Sequence, residues 1–280
     1  MSYFKIKSYA KINLALSVVG KSKSLHRIKS VVSFLDLHDE ILIRKINSTN
    51  HKIRFVGKFS TGIKSQNTIS QLFRNIDEKK LLRHKYQVIV KKNIPSAAGL
   101  GGGSMNAASI INFFTKKKII KLNKKEIIEI CNSIGSDVLL GLYSKNLILK
   151  PNNKIKKISV KKKFYILIVK PNFGCSTKKI YSKVKKFTKS KFYFNSNVVF
   201  KIEFLKKMKN DLEKIAFNEY PKLKILKNFL EKQSNIEFAR MTGSGSAIIA
   251  YFSSFRKCKE AEKKVKKQFR NYWCKTSKTI

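Results

Sequence analysis

Pro95-Ser-Ala-Ala-Gly-Leu-Gly-Gly-Gly-Ser-Met-Asn-Ala-Ala108 packs four glycines into five positions, Gly99, Gly101, Gly102 and Gly103. A strand-like run, Tyr86 to Val90, comes just before it, and a helical pattern follows at once: Ala107, Ile110, Ile111 and Phe114 fall at i, i+3, i+4 and i+7. Glycine admits positive φ and lets a ligand approach the main chain closely. The start of a helix presents unpaired N–H groups and the positive end of a dipole. Strand, glycine loop and helix start together predict an anion cradle, and the anion they suit is a phosphate. Ser104 stands at the N-cap or in the first turn.

The plain alternative is a flexible turn, but flexible linkers rarely lead into so well patterned a helix. Other nucleotide loops are excluded. No Gly-Lys-Ser/Thr closes the stretch, so it is not a Walker A loop. Ser104 occupies the place of the third glycine in the dinucleotide fingerprint. The protein-kinase motifs His-Arg-Asp and Asp-Phe-Gly are absent.

Working outward, 280 residues with 42% hydrophobic content suffice for a packed core and argue against disorder. No uninterrupted apolar run reaches membrane-spanning length, and Met1 to Lys11 lacks a signal-peptide apolar block, so a cytoplasmic enzyme with no membrane partner is expected. Cys131, Cys175, Cys258 and Cys274 are widely spaced, which points to reduced thiols rather than a zinc site or disulfide framework. Lys and Arg number 62 against 16 Asp and Glu, a net charge of +46. Nucleic-acid binding is one reading of that charge. Coding bias is the other and the better one. The enriched residues share A/T-rich codons, lysine far outnumbers arginine, and the lysines are spread over Lys116–Lys118, Lys154–Lys163, Lys206–Lys209 and Lys263–Lys267.

Along the chain, Ile12, Leu14, Leu16 and Val18 alternate as in a half-buried strand, with Lys11 and Asn13 on the opposite face. Strand patterns follow at Ile28–Leu37 and Glu40–Ile46, and a helix at Asn67–Ile76. A second helix, Lys125 to Gly135, ends on glycine, with Ser136, Asp137 and an apolar run, Val138–Tyr143, behind it. The Lys/Asn-rich stretch 150–163 reads as a boundary, giving domains over 1–155 and 156–280. Beyond it come a strand at Phe164–Val169, a loop at Asn172–Thr177, helices at Val199–Phe217 and Leu223–Lys232, a glycine turn at Met241–Ser246, a strand at Ala247–Phe252 and a closing charged helix over 255–269. Strands mixed with helices in this way predict an α+β protein.

Four segments form a set: Ala10-Lys-Ile-Asn-Leu14, Pro95 to Ala108, Gly135-Ser-Asp137 and Thr242-Gly-Ser-Gly-Ser246. In this order and spacing the chain resembles the GHMP kinase superfamily, from about residue 8 to 253. His26, Phe34-Leu-Asp36 and Asp39 narrow the likeness to the branch that phosphorylates a cytidyl diphosphate sugar alcohol in the non-mevalonate isoprenoid pathway. The resemblance implies two α+β domains, an N-terminal ATP-binding one and a C-terminal ferredoxin-like one, with the active site in the cleft between them. It implies ATP as co-substrate with Mg²⁺. Pro95, Ala97, Ala98, Gly99, Leu100, Gly101, Gly102, Gly103 and Ser104 would line the phosphates, with Asn67 and Lys92 near the adenine and ribose. Asp137 would be the catalytic base and Lys11 its cationic neighbour. His26 would meet the cytosine, Asn13 and Thr177 would line the substrate, and Gly243 and Gly245 would close the site. Function as a monomer or homodimer, with no specific nucleic acid, is expected.

Elementary chemistry fits these roles. Phosphoryl transfer needs alignment and charge neutralisation more than covalent help. A tertiary alcohol is a poor acid, so a carboxylate within reach can take its proton as the bond forms. Taken singly, Asp137 reads as a helix cap, Lys11 as a solvated strand lysine and His26 as a structural histidine; the four-segment set turns each into a site residue. Two departures stand out. The family's Asp-Gly-Tyr-His reads Lys23-Ser-Leu-His26 here, removing an aromatic face at position 25, and Leu139 replaces a turn proline after the base. The alternatives are another small-molecule kinase of the superfamily, a basic nucleic-acid-binding protein, or a kinase relic that only binds.

Overall fold

The computed structural model describes residues 2–22, 25–151, 154–159, 163–189 and 197–280. The chain forms two compact units that are not consecutive in sequence. The first takes Met1–Lys11, Leu37–Ser96 and Gly101–Ser144; the second takes Ile12–Asp36, Ala97–Leu100 and Lys145–Ile280. Two long, mutually paired strands, β1 (Phe4–Ser22) and β2 (Leu25–Ile46), supply residues to both, so the two strands expected at 28–37 and 40–46 are one. The sequence pattern of β1 predicts burial on one face only. The structure corrects this: from Ala10 to Val18 every residue is buried, Lys11 and Asn13 at 3% exposure among them. A strand covered on both faces leaves its polar side chains no water, so each must find a partner inside the protein.

In the first unit β2 pairs antiparallel with β4 (Lys85–Lys91), which pairs parallel with β3 (Lys52–Val56). Ile41 stands opposite Val90 and Ile43 opposite Val88, all fully buried. The helix α1 (Thr68–Glu78) starts at a capping box: Asn67 Oδ1 accepts from the N–H groups of Ile69 and Ser70. It buries Ile69, Leu72, Phe73 and Ile76. The glycine loop feeds α2 (Gly102–Lys116), whose buried side includes the predicted stripe Ala107, Ile110, Ile111 and Phe114. Asn123 and Glu126 make a second capping box for α3 (Lys124–Ile134), which stops at Gly135. The apolar run after Asp137 is a single turn, α4 (Val138–Gly141). A side-chain carbon at Gly141 would fall 2.6 Å from Ala108 Cβ, so glycine lets α4 lie directly on α2 and fixes Asp137 beside the start of that helix.

In the second unit, β5 (Leu147–Leu149) pairs with the Ser30–Val32 part of β2 and with β6 (Ile155–Lys157). The boundary stretch 150–163 therefore contains a strand. The rest is a four-stranded antiparallel sheet built from β7 (Tyr165–Lys170), α5 (Thr177–Ser182), α6 (Ile202–Lys207), α7 (Leu212–Glu219), α8 (Pro221–Glu231), β8 (Ile236–Met241), β9 (Ile248–Phe252), α9 (Phe255–Gln268) and β10 (Trp273–Lys278). Its strand order, β10-β7-β9-β8, together with the βαββαβ sequence of elements, is the ferredoxin-like arrangement. Leu223, Leu226 and Leu230 of α8 and Cys258, Ala261 and Val265 of α9 join the core against this sheet. All four cysteines are free and buried. Burial pushes the Cys131 and Cys258 thiols up to about 12 and Cys175 to about 11, which suits inert core thiols.

Three expectations change here. The chain continues past α9 into β10. β8 adds a strand that short apolar spacing did not reveal. The helix expected over Val199–Phe217 is broken between α6 and α7, because residues 209–211 bond elsewhere. Leu16 N–H donates to Lys209 O, Asp211 N–H donates to Leu16 O, and Asp211 Oδ2 accepts from Val18 N–H. Asn210 Nδ2 donates to the carbonyls of Met241 and Gly243.

The first unit also holds a buried histidine. His51 stacks on Phe73 at 4.0 Å, accepts Tyr86 N–H at Nδ1 and meets Asp77 Oδ1 through Nε2 at 3.2 Å. Burial lowers its pKa, against the opposing pull of Asp77. A base whose folded pKa lies below its unfolded value contributes stability that is complete above the unfolded value, near 6.5, and fades as pH falls through that region. Denaturant unfolding at pH 7.5 and 5.5 should show the wild type losing more stability on acidification than His51→Gln. His26, also lowered, supplies a residual loss common to both proteins. Equal losses would reject the assignment.

Candidate active site

In the first unit Lys11, buried in β1, reaches Asp137, with Nζ 3.1 Å from Oδ2. Asp137 precedes α4, yet its side chain makes no capping bond. The carboxylate faces the lysine and is 31% exposed, while the Lys11 side chain is 4% exposed. Gly101, at φ +70, caps α2 in the left-handed conformation and offers no side chain to the first-turn N–H groups. A carbon added there would sit 2.9 Å from Lys11 Cγ, so the stem of Lys11 runs directly beneath the loop. Thr68 Oγ1 donates to Gly103 O, and a side chain at Gly135 would begin 3.9 Å from Ser104 Oγ. Uncapped helix start, cationic Lys11 and carboxylate of Asp137 thus converge in one unit.

The Ala97–Leu100 part of the loop belongs to the second unit and is pinned there. Ser246 N–H donates to Ala97 O, Ala247 N–H to Ala98 O, and Thr242 Oγ1 to Gly99 O. Thr242 Oγ1 also accepts Asn13 N–H. Asn13 Nδ2 donates to Ser30 Oγ, which donates to Ala15 O. Gly243, at φ +55, lies 3.5 Å from Asn13 Oδ1, measured from its missing side-chain position. Thr177 Oγ1 and Ser244 Oγ share a hydrogen bond of 2.8 Å. His26 lies against Tyr181 of α5, ring centres 5.2 Å apart, with Phe187 at 6.4 Å. Partial burial, then the charge of Lys21, lowers its pKa and favours the neutral ring.

The model of the GHMP kinases N terminal domain matches residues 67–145, and that of the GHMP kinases C terminal matches 201–271. A 4-diphosphocytidyl-2-C-methyl-D-erythritol kinase of Pelagibacter ubique is 53% identical over the full length of both chains. The kinase of that name from Clostridium tetani is 30% identical, covering 99% of this chain and all of its own. The chain belongs to the GHMP kinase family. A solved structure of 4-(cytidine 5'-diphospho)-2C-methyl-D-erythritol kinase shares the fold, with a TM-score of 0.77 at 20% identity, covering 98% of this chain and 99% of that one. The two-domain α+β fold of the family is therefore present here.

Within this GHMP kinase, the expected residues sort by unit. Lys11, Asp137, Gly101, Gly102, Gly103 and Ser104 come together in the first. Asn13, Gly99, Gly243 and Thr177 with Ser244 come together in the second. Asn67 is occupied as a helix cap, its Nδ2 donating to Lys64 O and Ser65 O. Lys92 is buried in an ion pair with Asp39. Pro95, Ala98 and Leu100 are buried loop anchors, and Ala97 takes φ +50. Asp36 accepts from Ser277 Oγ and Lys278 N–H, so it holds β10. Lys23, Ser24 and the side chain of Leu25 lie outside the described residues. Sequence reasoning missed Thr242 and Tyr181 as site residues. Thr242 stands in the sequence as the first residue of a glycine turn, and Tyr181 fills an ordinary helical position.

Gly99 tests the loop geometry. At φ +72, a side-chain carbon there would fall 2.1 Å from Thr242 O. Gly99→Ala should displace the loop and weaken ATP binding by roughly tenfold or more, as a cost of 1–3 kcal/mol for a strained backbone implies. Wild-type ATP affinity in calorimetric titration would show that this approach does not matter.

Proposed function

We propose that this kinase transfers the γ-phosphoryl group of ATP to the 2-hydroxyl of 4-diphosphocytidyl-2-C-methyl-D-erythritol, giving the 2-phosphate and ADP for isoprenoid biosynthesis. The observation that carries the reading is the Lys11–Asp137 pair beside the uncapped start of α2. The full-length relatives that bear this enzyme's name support the choice of substrate.

In this reading the N–H groups around Gly99–Ser104 hold the phosphates, and the end of α2 adds its field. The substrate hydroxyl attacks the γ-phosphorus in line with the departing ADP oxygen; the new P–O bond forms as the β–γ bridge breaks. Asp137 takes the hydroxyl proton, and Lys11 steadies the negative charge growing on the attacking oxygen. Asn13 and Thr177 line the acceptor side, with Gly243 and Gly245 at the turn beside them. His26, backed by Tyr181, meets the cytosine, Asn67 stands near the adenine and ribose, and Lys92 supports the nucleotide from beneath the loop. Mg²⁺, when bound, neutralises phosphate charge. Among the described residues no group of three His, Cys, Asp or Glu could hold it, and Ser104, in the first turn of α2, would offer it a hydroxyl oxygen. We assign the domains to 1–155 and 156–280, with the two family-model matches on either side. We place the enzyme in the cytoplasm, as monomer or homodimer, a reading its four free cysteines support; no described helix is long and apolar enough to cross a membrane.

An ADP-release assay over a panel of alcohols tests the reading. Turnover should be highest with the cytidyl substrate, and Asp137→Asn should lose about 10²–10⁴-fold in kcat while still binding ATP. Preference for mevalonate or homoserine would overturn the substrate, and near-normal turnover of the Asn variant would overturn the base. For His26→Ala the expected result is a KM for the cytidyl substrate raised roughly tenfold, the worth of one lost contact, with ATP affinity unchanged. The reverse pattern would remove His26 from the substrate side.

A further inference from the structure

Beneath the glycine loop the first unit buries a charged network that the proposed chemistry does not use. Asp39 has no exposed surface. Its Oδ1 accepts the N–H groups of Asn93, at 2.7 Å, and Ile94, at 2.8 Å. Its Oδ2 accepts from Lys92 Nζ and from Asn106 Nδ2, the latter at 3.1 Å. Asn93 and Ile94 lead into Pro95 and the loop, whereas Asn106 lies in the second turn of α2, just after the loop ends. One carboxylate therefore grips both feet of the loop. The grip is costly elsewhere: Asn106, at 1% exposure, turns its Nδ2 to Asp39 and leaves its Oδ1 without a partner among the described residues.

Lys92 is oriented by the same carboxylate. A side-chain carbon at Gly102 would begin 3.2 Å from Lys92 Nζ and 3.1 Å from Ile94 Cγ2. The ammonium lies behind the first helical residue, on the protein side of the loop. The pair is neutral in sum, but its cationic end is the one against Gly102, where it adds to the positive end of the α2 dipole. A buried carboxylate is tolerable only when its oxygens are bonded, and here four donors satisfy it.

We propose that Asp39 is a positioning residue for ATP binding: it fixes the entry and exit of the phosphate loop through Asn93, Ile94 and Asn106 and sets Lys92 as a cation backing Gly102. This rests on reading residues 95–104 as the nucleotide loop. It also gives Lys92 a role from behind the loop rather than against the adenine or ribose.

Asp39→Asn alone strands a buried ammonium, so the informative protein is Asp39→Asn/Lys92→Met, which removes both charges together. Calorimetric titration with ATP in Mg²⁺ buffer, without acceptor, gives a readout independent of the reaction. The folded double variant should bind ATP at least roughly tenfold more weakly, while its KM for the cytidyl substrate stays within about twofold. Asn106→Ala, which keeps the ion pair, should weaken ATP binding roughly threefold. Wild-type ATP affinity in either variant overturns the proposal, as does an equal loss for both ligands, which would mark a general structural defect. A wild-type enzyme that binds ATP but ignores the cytidyl substrate refutes the proposed reaction and leaves Asp39 open to the same titration; failure to bind ATP at all refutes the loop reading itself.

Discussion

A loop of glycines and small side chains cannot hold its own shape. Between Pro95 and Ser104 there is little side chain to pack, and each glycine retains more backbone freedom than any other residue. Everything of interest follows from how the rest of the protein removes that freedom. The first unit does so with Asp39 at the two feet, Thr68 at Gly103 and the stem of Lys11 under Gly101. The second does so with Thr242, Ser246 and Ala247 bonded to three successive loop carbonyls. In both units the groups that hold the loop engage its carbonyl oxygens, an asymmetry that suits the proposed phosphate site, which calls on N–H donors.

The extreme charge of the chain puts the same economy in another light. With 16 acidic residues among 280, a carboxylate is scarce, and the site's neighbourhood spends several of them on structure. Asp36 ties down β10, Asp39 the loop, Asp77 the His51 cluster and Asp211 the break between α6 and α7. Asp137 differs from these four in holding no other element in place: it caps nothing, and its described partner is the buried Lys11. Most lysines, by contrast, lie on the surface, where an ion pair is worth little.

The parts of the candidate site that the sequence makes legible are the local ones. A glycine loop before an amphipathic helix and a glycine–serine–aspartate turn announce themselves within a few residues. The αα stacking that Gly141 permits, the bond from Thr242 to Asn13 and the meeting of His26 with Tyr181 join residues far apart in the chain, and no short pattern encodes them. The β1 reading erred for a related reason. Alternation of apolar residues predicted one wet face, but Lys11 and Asn13 are buried and meet Asp137 and Thr242, which arrive much later in the sequence. The helix forecast over 199–217 failed on the same ground, since helical spacing says nothing of the long-range bonds that residues 209–211 make to Leu16 and Val18.

The interleaving of the two units carries a kinetic consequence. All of the first unit is encoded within residues 1–144, so it can close while synthesis is still under way. The second cannot. Its strand segment 12–36 leaves the ribosome early, but the partners that cover it, Leu147–Leu149 and the α6–α7 strap, follow more than a hundred residues later. At about 5–20 residues per second, that apolar stretch waits for several seconds without its native cover. Ile12, Leu14, Leu16 and Val18, the residues that frame Lys11 and Asn13 in the finished protein, are for that interval apolar surface that a chaperone could cover.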